Sequence, residues 1–398
     1  MSEADRTVAI AGGGIVGRTL AIALASQSHV TVRLLAGPPA AADERASAVS
    51  AAARRLLSRI GAWPAMAADA QEVREMVITD SAAGDVVRPQ VLTFGEHDGG
   101  PTAHVVPNTV ILAALKARCA NLPIEETPER AVFFDEARRH VAIETDSGAT
   151  HDAAVLIAAD GRASRLRSIA GIATVTHDYR QAGITGTFAH ELPHYGIATQ
   201  HFLPNGPLAM LPLTGDRSSL VWTERPGFGE TMARMDPMLV GYEVERAFGL
   251  SLGHITLDGP LQVYPLVNVL AQRWHAGRLA LVGDAAHVIH PLAGQGLNLG
   301  LRDVGALAET LVDAHRNGED LASALPRYER WRRADTTMMA LVTAGLNSIF
   351  STSSDLMRSL RSVGLNAVDR RDDLKALFAR EAAGDEGELP RLLRGQAI

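Results

Sequence analysis

Short apolar runs, each followed by a glycine-rich turn and a helical pattern, mark the beginning and the later part of this chain. Thr7–Ala11 is such a run, a helical pattern follows from Arg18 to Ala25, and a second extended run spans Val30–Leu35. Far along the chain, Leu279–Val282 is wholly apolar, as buried central strands are. Strand, turn, helix and strand in this order predict an α/β fold with an open sheet.

The helix predicted after the late strand has one apolar face. Its apolar residues recur at three- and four-residue spacing, which is the period of an α-helix. They are Leu297, Leu301, Val304, Ala308 and Leu311. We therefore expect this helix to pack against the sheet.

Between these units the chain is typical of strands separated by glycine and proline turns. The pattern is extended over 72–106 and 181–264, and a helical segment interrupts it at 229–249. These stretches predict a sheet that covers the α/β domain and encloses a pocket. The predicted division is 1–71, 107–178 and 270–330 for the α/β domain, 72–106 and 179–269 for the β-rich domain, and 331–398 for a helical C-terminal region.

Shorter elements are predicted inside the α/β domain. Residues 43–50 lead into an amphipathic helix that ends near Trp63. Another helix spans Val110–Cys119, and strands at Phe133–Thr145 and His151–Ala158 flank a turn.

The composition indicates a globular protein and argues against nucleic-acid binding, disulfide bonds and membrane-spanning segments. With 398 residues, 46% of them hydrophobic and 21% charged, the chain is ordinary for a soluble globular protein. A net charge of −7 gives no reason to expect nucleic acid as a partner. The single cysteine, Cys119, excludes an internal disulfide and suits the cytoplasm. We see no secretory signal, and no run of about 20 apolar residues is long enough to span a bilayer.

The turn after the first strand has the G-x-G-x-x-G pattern of dinucleotide-binding proteins, formed by Gly12, Gly14 and Gly17. In this pattern the first glycine makes the tight turn, and the second lets a pyrophosphate approach the backbone. The third lets the helix pack close to the strand. The position between a predicted strand and a predicted helix makes the match specific.

One part of this fingerprint is missing. The second strand should end in Asp or Glu, which binds the adenosine ribose. This chain has Leu35 there, preceded by Arg33, and the nearest acids, Asp43 and Glu44, lie beyond a proline turn. Either the ribose finds another partner or the cofactor binds loosely.

Two further strand ends have residues that suit a cofactor site. Gly283 and Asp284 follow the late strand, which places a carboxylate where ligands bind in open α/β sheets. The run Gly294, Gln295, Gly296, Leu297, Asn298 then opens a helix whose N-terminus favours an anion. Asp160 and Gly161 follow the predicted strand His151–Ala158, and Ser164 and Arg167 come shortly after.

Three separated segments together carry a resemblance to a known family. They are GGGIVG at 12–17, ADGRASRLR at 159–167 and VGDAAHVIHPLAGQGLNLGLRD at 282–303. The chain resembles the FAD-dependent aromatic hydroxylases of the para-hydroxybenzoate hydroxylase fold. More narrowly, DERASAVSAAARRLL at 43–57 and HPLAGQGLNLGLRDV at 290–304 are similar to the ubiquinone-biosynthesis hydroxylases. The resemblance implies a Rossmann-like FAD-binding domain, an inserted β-sheet substrate domain and a helical C-terminus.

The resemblance also implies how FAD is held. The glycine loop would hold the pyrophosphate, Arg45 would lie at the flavin and pyrophosphate, and Asp284 would bind the ribityl region. Asn108 stands where the family has Glu-Asn-Arg, without the flanking charges. The implied cofactor-binding set is Gly12, Gly14, Ile15, Val16, Gly17, Arg45, Asn108, Asp160, Gly161, Gly283, Asp284, Pro291, Gly294, Gln295, Gly296, Leu297 and Asn298.

The implied reaction is hydroxylation of the ring of a polyprenylated phenol, with NAD(P)H reducing FAD and O2 forming a C4a-hydroperoxyflavin. The expected partners are a small hydrophobic phenol and O2. Contact with a quinone-biosynthesis complex, with the inner membrane surface or with a second copy of the chain stays open. The uncharged stretch 336–354 and the helical pattern 356–368 are candidates for contact with a membrane surface or a partner protein, although packing against the cofactor domain is the favoured interpretation.

Three other interpretations remain open at this point. The same chemistry could act on a soluble aromatic, the fold could serve a reductase of prenyl chains, or the chain could be a non-catalytic scaffold. Asp284, His287 and His290 have a spacing compatible with a metal, but nothing else suggests a metal site, and we predict none. No residue is identified as the catalytic base.

Overall fold

A six-stranded sheet forms the centre of the part that contains the glycine-rich turn. The computed structural model describes residues 4–38, 41–80, 88, 90–95, 99–290, 295–350 and 372–398. With strands numbered in chain order, this sheet has the order β19-β20-β12-β1-β2-β8, and all its neighbours are parallel except β19 and β20. The strands are β1 (Thr7–Ala11), β2 (Thr31–Leu35), β8 (Ile124–Thr127), β12 (Val155–Ala158), β19 (His275–Ala276) and β20 (Leu279–Leu281).

The turns that follow β1, β2, β12 and β20 lie at one edge of this sheet, because the carboxyl ends of parallel strands meet there. The predicted strands Thr7–Ala11 and Leu279–Val282 are confirmed, the second to within one residue. The strands β1 and β12 are buried along their whole length, as their unbroken apolar sequence indicates.

Nine α-helices are found in the described residues, and several of them pack on the parallel sheet. The predicted helices near 18–25, 110–119 and 297–311 are confirmed, each with longer bounds. The helices are α1 (Ile15–Gln27), α2 (Ala51–Arg59), α3 (Asn108–Cys119), α4 (Arg165–Ile169), α5 (Pro226–Met232), α6 (Pro237–Phe248), α7 (Gln295–Arg316), α8 (Leu325–Phe350) and α9 (Asp372–Ala383). Cys119 is buried at the end of α3 and packs into the main core.

Residues 43–50 lead into a helix as predicted, but α2 ends at Arg59, before Trp63, and Ala46–Ser50 forms a strand that the sequence did not indicate. Ala46–Ser50 pairs antiparallel with a strand more than 50 residues later in the chain. The Ser50 side chain then accepts a hydrogen bond from the Ala53 backbone N–H and caps α2. Small residues such as these have weak strand preference, so the pairing partner decides their conformation. The three strands of this sheet are β3 (Ala46–Ser50), β4 (Gln71–Val73) and β7 (Ala103–Pro107).

A nine-stranded sheet covers the carboxyl edge of the parallel sheet. Of the extended residues predicted at 72–106, β5 and β6 lie in this sheet, whereas β4 and β7 pair with β3. Its strands are β5 (Glu75–Asp80), β6 (Gln90–Gly95), β13 (Thr174–His190), β14 (Ile197–Leu203), β15 (Gly206–Leu213), β16 (Arg217–Glu224), β17 (Ile255–Leu257), β18 (Gln262–Ala271) and β21 (His287–Val288). A small hairpin sheet contains β9 (Ala131–Glu136), β10 (Val141–Thr145) and β11 (Thr150–Ala153).

The two faces of the large sheet have different surroundings, because successive side chains of a strand point to opposite faces. Residues at one set of alternate positions, among them Ile184, Leu208, Met210, Leu220 and Trp222, pack in a core that includes residues of α5 and α6. The residues between them face the parallel sheet. The predicted helical interruption at 229–249 corresponds to the end of α5 and to α6, which supply that core with Met232 and Val244.

The C-terminal region is helical in the part that the structure describes. Tyr328 of α8 donates a hydrogen bond to the Leu281 carbonyl of β20 over 2.9 Å, and Ala379 of α9 packs against Leu92 and Phe94 of β6. Among the described helices, none combines the length and the apolar character needed to cross a membrane. The helical pattern predicted at 356–368 lies outside the described residues.

Asp303 of α7 is a fully buried carboxylate that joins three segments. It accepts hydrogen bonds from the Gly283 backbone N–H over 3.2 Å, from His287 Nε2 over 2.5 Å and from Arg332 Nε over 3.0 Å. Burial alone would raise the pKa of Asp303, but His287 and Arg332 lower it below its usual range. The carboxylate is therefore charged at neutral pH, and its partners compensate its burial.

Replacing Arg332 with Met should destabilise the protein by about 3–5 kcal/mol, since Asp303 would keep its burial and lose its buried cation. The matched control is Arg333→Met on the same helix, because Arg333 forms an exposed pair with Glu329 and should change stability by less than about 1 kcal/mol. Urea unfolding monitored by circular dichroism measures both variants. Equal midpoints for the two would contradict the role assigned to the buried pair.

Candidate active site

A cavity of about 2260 Å³ lies between the carboxyl edge of the parallel sheet and the inner face of the large sheet. Sites for one small molecule are usually about 300–1,000 Å³, so this cavity has room for a cofactor and a second molecule. Its walls come from the turns after β1, β2, β12 and β20, from the segment around Arg45, from the start of α7 and from β13–β16 and β18.

The glycine loop has one closely packed side and one open side. Gly12 has a φ of +128°, and an added Cβ would lie 2.1 Å from the Ala159 carbonyl oxygen. A Cβ on Gly17 would lie 2.0 Å from the Gly12 carbonyl oxygen, so α1 packs directly on the turn. A Cβ on Gly14, in contrast, would meet no heavy atom of the described residues within 4 Å, and Gly14 lines the cavity. The loop therefore presents backbone N–H groups at the start of α1 to the cavity, which suits a phosphate.

Arg45 lies in the cavity wall and is held by an acid two residues before it. Its Nε and Nη2 donate to the two oxygens of Asp43 over 2.7 and 2.8 Å, and Asn108 Nδ2 also donates to Asp43 over 2.8 Å. The hydrogen bond to Asp43 raises the pKa of Arg45 further, so the guanidinium is always charged. Its Cζ lies 5.8 Å from the ring centroid of Tyr264 on the large sheet, a cation–π contact across the cavity.

The Gly283-Asp284 turn follows β20 as predicted. Gly283 has a φ of +60°, and a Cβ there would lie 3.2 Å from the Val16 side chain, so the turn packs on the start of α1. Asp284 lines the cavity, and desolvation by the surrounding protein raises its pKa above the usual range, although His287 and Arg45 act in the opposite direction. The turn thus places a single carboxylate beside the phosphate loop.

The Asp160-Gly161 turn lies beside the glycine loop, but Arg167 does not point into the cavity. Asp160 Oδ2 accepts hydrogen bonds from the backbone N–H groups of Arg165 and Leu166 over 3.0 and 3.4 Å, so it caps α4. Arg167 is buried and donates to the Ala285 carbonyl over 2.8 Å. Its cation therefore connects this turn to the Gly283-Asp284 turn instead of facing a ligand.

The start of α7 contributes two cavity residues, Gly296 and Leu297. Asn298 points elsewhere: its Nδ2 donates to the Ala48 carbonyl over 2.8 Å, and its Oδ1 accepts from the Ser50 backbone N–H over 3.0 Å. Asn298 therefore attaches α7 to β3. Pro291 and Gly294 lie outside the described residues.

Eleven of the seventeen predicted cofactor-binding residues line the cavity. They are Gly12, Gly14, Ile15, Val16, Arg45, Asn108, Asp160, Gly161, Asp284, Gly296 and Leu297. Gly17 and Gly283 shape the wall by close backbone packing behind it, and Gln295 and Asn298 do not line it. The structure thus brings most of the predicted residues together at one cavity, while their binding of a cofactor remains a prediction.

The two histidines after Asp284 have different surroundings. His287 binds Asp303 and stacks on Trp274 with ring centroids 5.1 Å apart. His290 lines the cavity and contacts the Tyr179 ring edge-on at 4.9 Å, and neither of its ring nitrogens has a hydrogen-bond partner among the described residues. Burial lowers the pKa of His290 to about 4, so its ring is neutral at neutral pH. In the part of the chain that the structure describes, no group of three His, Cys, Asp or Glu residues suits a metal ion.

Some contacts of the cavity wall were not predicted from the sequence. The pairing of Arg45 with Asp43 had a usable signal, because the two residues are only two positions apart. The contact of Arg45 with Tyr264 and the pair of Arg18 with Glu126 could not be predicted, because in each case the two residues are distant in the chain. These contacts depend on how the two sheets and α1 pack.

Comparisons with known proteins agree with the geometry. A family model described as "FAD binding domain" matches residues 5–342. A ubiquinone hydroxylase of Rhodospirillum rubrum, UbiL, is 39% identical over 401 residues, covering 98% of this chain and 92% of that protein. The 3-demethoxyubiquinol 3-hydroxylase of Escherichia coli is 34% identical and covers 96% of this chain and all of that protein.

The fold has a close counterpart among solved structures. The p-nitrophenol 4-monooxygenase of Pseudomonas putida superposes with a TM-score of 0.79 and 20% identity, and the match covers 98% of each chain. At this identity the likeness concerns the fold alone. The predictions of an FAD-binding α/β fold of the aromatic hydroxylase type and of FAD as cofactor are confirmed.

The two glycines Gly14 and Gly17 should respond differently to substitution by alanine. Gly14→Ala should leave the unfolding temperature of the flavin-free protein unchanged and weaken FAD binding on the order of tenfold, because the methyl group would occupy the phosphate's approach. Gly17→Ala should destabilise the fold by about 3 kcal/mol, since its Cβ would collide with a backbone oxygen. Thermal unfolding and quenching of FAD fluorescence separate these effects. Unchanged FAD affinity in Gly14→Ala would place the phosphates elsewhere.

Proposed function

We propose that this protein, which belongs to the FAD-dependent aromatic hydroxylases and within them to those of ubiquinone biosynthesis, hydroxylates the ring of a polyprenylated phenol. The observation that carries the proposal is the large cavity of the described residues, which joins a phosphate-binding loop to the inner face of the large sheet. NAD(P)H and O2 are the implied co-substrates. The relatives' names point to the same ring chemistry, since both are hydroxylases of ubiquinone or ubiquinol compounds.

The residues of the cavity fit FAD. The open side of Gly14 and the N-terminus of α1 suit the pyrophosphate, and Arg45 adds a permanent positive charge nearby. Asp284 offers carboxylate oxygens to ribityl hydroxyls, and Gly296 and Leu297 place the N-terminus of α7 in the wall. When bound, FAD supplies reduction by NAD(P)H and activation of O2, and the protein supplies orientation and electrostatics.

The wall formed by the large sheet suits an apolar, extended substrate. Its cavity-facing side chains are mostly small or β-branched, and they include Ala209, Leu211 and Val221. Polar side chains such as Thr185, Ser219 and Gln262 lie beside these apolar ones. A prenyl tail would bury its surface against the apolar part of the wall, around Ala209, Leu211 and Val221. A soluble phenol without a tail would fill only part of this space.

The residues at the end of the cavity that we assign to the flavin set its local charge. His290 lines the cavity and is neutral and buried, and its ring contacts the Tyr179 ring edge-on. The N-terminus of α7 favours negative charge close to Leu297. The buried Asp303 accepts hydrogen bonds from His287 and from the Gly283 backbone, which ties this turn to α7.

Incorporation of oxygen tests the proposed reaction. With FAD, NADPH and ¹⁸O2, a phenol with a short prenyl tail should gain one ¹⁸O atom, and the same phenol without the tail should react less efficiently. A reduced prenyl chain without ¹⁸O would favour the reductase alternative. Retention of FAD without turnover on any phenol would favour the scaffold alternative.

The position of the tail can be tested on the sheet wall. Ala209→Phe should raise KM for the prenylated phenol on the order of tenfold, because the ring would enter the space assigned to the tail. FAD affinity and the KM of the tail-free phenol should stay unchanged and serve as controls. An equal effect on both phenols would mean that the tail lies elsewhere.

A prenylated substrate resides in a bilayer, so we also propose transient contact of the protein with a membrane surface. The support is on α8, where Met338 and Leu341 are exposed apolar side chains. Replacing both with Ser should reduce binding to phospholipid vesicles roughly tenfold. The matched control replaces Met238 and Leu239, which are similarly exposed on α6. Vesicle flotation measures both double variants, and loss only in the control would assign the contact to α6.

A further inference from the structure

The strand that should provide the ribose-binding acid provides an apolar side chain instead. Leu35, at the end of β2, is 1% exposed and packs in the main core. Arg33 on the same strand points to the outer surface, where it pairs with Glu125 over 2.7 Å. Nothing on the end of β2 therefore accepts a hydrogen bond from a ribose hydroxyl through its side chain.

The neighbouring strand has an acid one residue before the level of Leu35. The β8 strand runs parallel to β2, with Glu126 beside Leu34 and Thr127 beside Leu35. Parallel strands lie about 4.8 Å apart, so Glu126 is one strand removed from the usual position of the acid. Glu126 lines the same cavity as Leu35 and the glycine loop.

The other acids in the cavity wall have different positions and partners. Four acidic residues of the described chain line the cavity: Asp43, Glu126, Asp160 and Asp284. Asp43 binds Arg45 and Asn108, Asp160 caps α4, and Asp284 follows β20 on the other side of β1. Glu126 is the only one of these four on the strand next to β2.

Arg18 holds the Glu126 carboxylate in a defined orientation. Its Nη1 and Nη2 donate to the two carboxylate oxygens over 2.9 and 2.6 Å, and its Nε donates to the Gly13 carbonyl over 2.9 Å. Arg18 is 5% exposed, whereas 38% of the Glu126 side chain is exposed. The carboxylate is thus anchored to the phosphate loop and remains accessible.

A carboxylate that accepts two hydrogen bonds from one arginine keeps free acceptor positions, since each oxygen has two lone pairs. The hydrogen bonds from Arg18 lower the pKa of Glu126, so it is an ionised acceptor at neutral pH. A ribose diol needs an acceptor of this kind near the end of β2.

We propose that Glu126, oriented by Arg18, binds the adenosine ribose of FAD in place of the acid that is absent at Leu35. The inference rests on FAD as cofactor of the proposed function. It answers how the adenosine half is held when the fingerprint acid is missing. The alternative is that the pair of Arg18 and Glu126 only ties α1 to β8.

The test compares Glu126→Gln with Glu125→Gln, because the two residues are adjacent and Glu125 pairs with Arg33 at the surface. Flavin-free protein is titrated with FAD and with FMN, which lacks the adenosine ribose, and fluorescence quenching reports binding. Glu126→Gln should weaken FAD binding on the order of tenfold and leave FMN binding unchanged. Glu125→Gln should bind both as the wild type does.

A second variant and a second ligand make the result specific. Leu35→Glu in the Glu126→Gln background restores an acid at the fingerprint position and should recover FAD affinity. FAD that carries 2′-deoxyadenosine should bind the wild type more weakly than FAD does, and Glu126→Gln should lose that preference. If Glu126→Gln does not fold, Glu126→Asp replaces it, since it keeps the charge and withdraws the oxygens from the ribose.

The outcomes are distinguishable. Unchanged FAD affinity in a folded Glu126→Gln protein overturns the inference, and so does an equal loss for FAD and FMN, which would indicate support of the fold alone. Failure of the wild type to bind FAD would overturn the proposed function itself, and the inference with it.

Discussion

The site depends on one buried charge, the carboxylate of Asp303. A carboxylate without exposure is tolerated only because the Gly283 backbone, His287 and Arg332 all donate to it. These partners belong to the turn after β20, to β21 and to α8, so a single group fixes three segments relative to α7. The strand β21 in turn pairs with β18, which connects the cofactor side of the molecule to the large sheet.

The cavity lies between two sheets that contribute different groups to its walls. The parallel sheet collects its turns at one edge, and those turns carry the groups for an anionic, hydroxylated cofactor. The large sheet buries one face in its own core and leaves the alternate residues free to line a space. Thr185, Ala209 and Val221 are neighbours on that free face through the registers of β13, β15 and β16. A phosphate site and an apolar wall therefore share one cavity.

Several site residues act through the backbone, and these were the easiest to predict. A Cβ on Gly17 would collide with the Gly12 carbonyl within one strand-turn-helix unit, whereas a Cβ on Gly12 would collide with the Ala159 carbonyl after β12. The local G-x-G-x-x-G pattern was sufficient to identify both glycines. Asn298 was predicted from its position in a motif, but its amide binds β3 and not the cavity. The strand β3 itself was missed, because its partner β7 lies more than 50 residues away. Pairing of distant segments has no local signature.

The strand-turn-helix units, the two acids that follow β12 and β20, and the absence of an acid at Leu35 could all be read from the amino-acid sequence. Each of these follows from residues that are close in the chain, where backbone geometry and the periodicity of apolar residues act directly. Only the tertiary structure decided that Glu126 lies beside the end of β2, that Arg45 faces Tyr264 and that Asp303 is shared by three segments. These contacts join residues that are distant in the chain, and packing of the sheets and helices alone determines which of them meet.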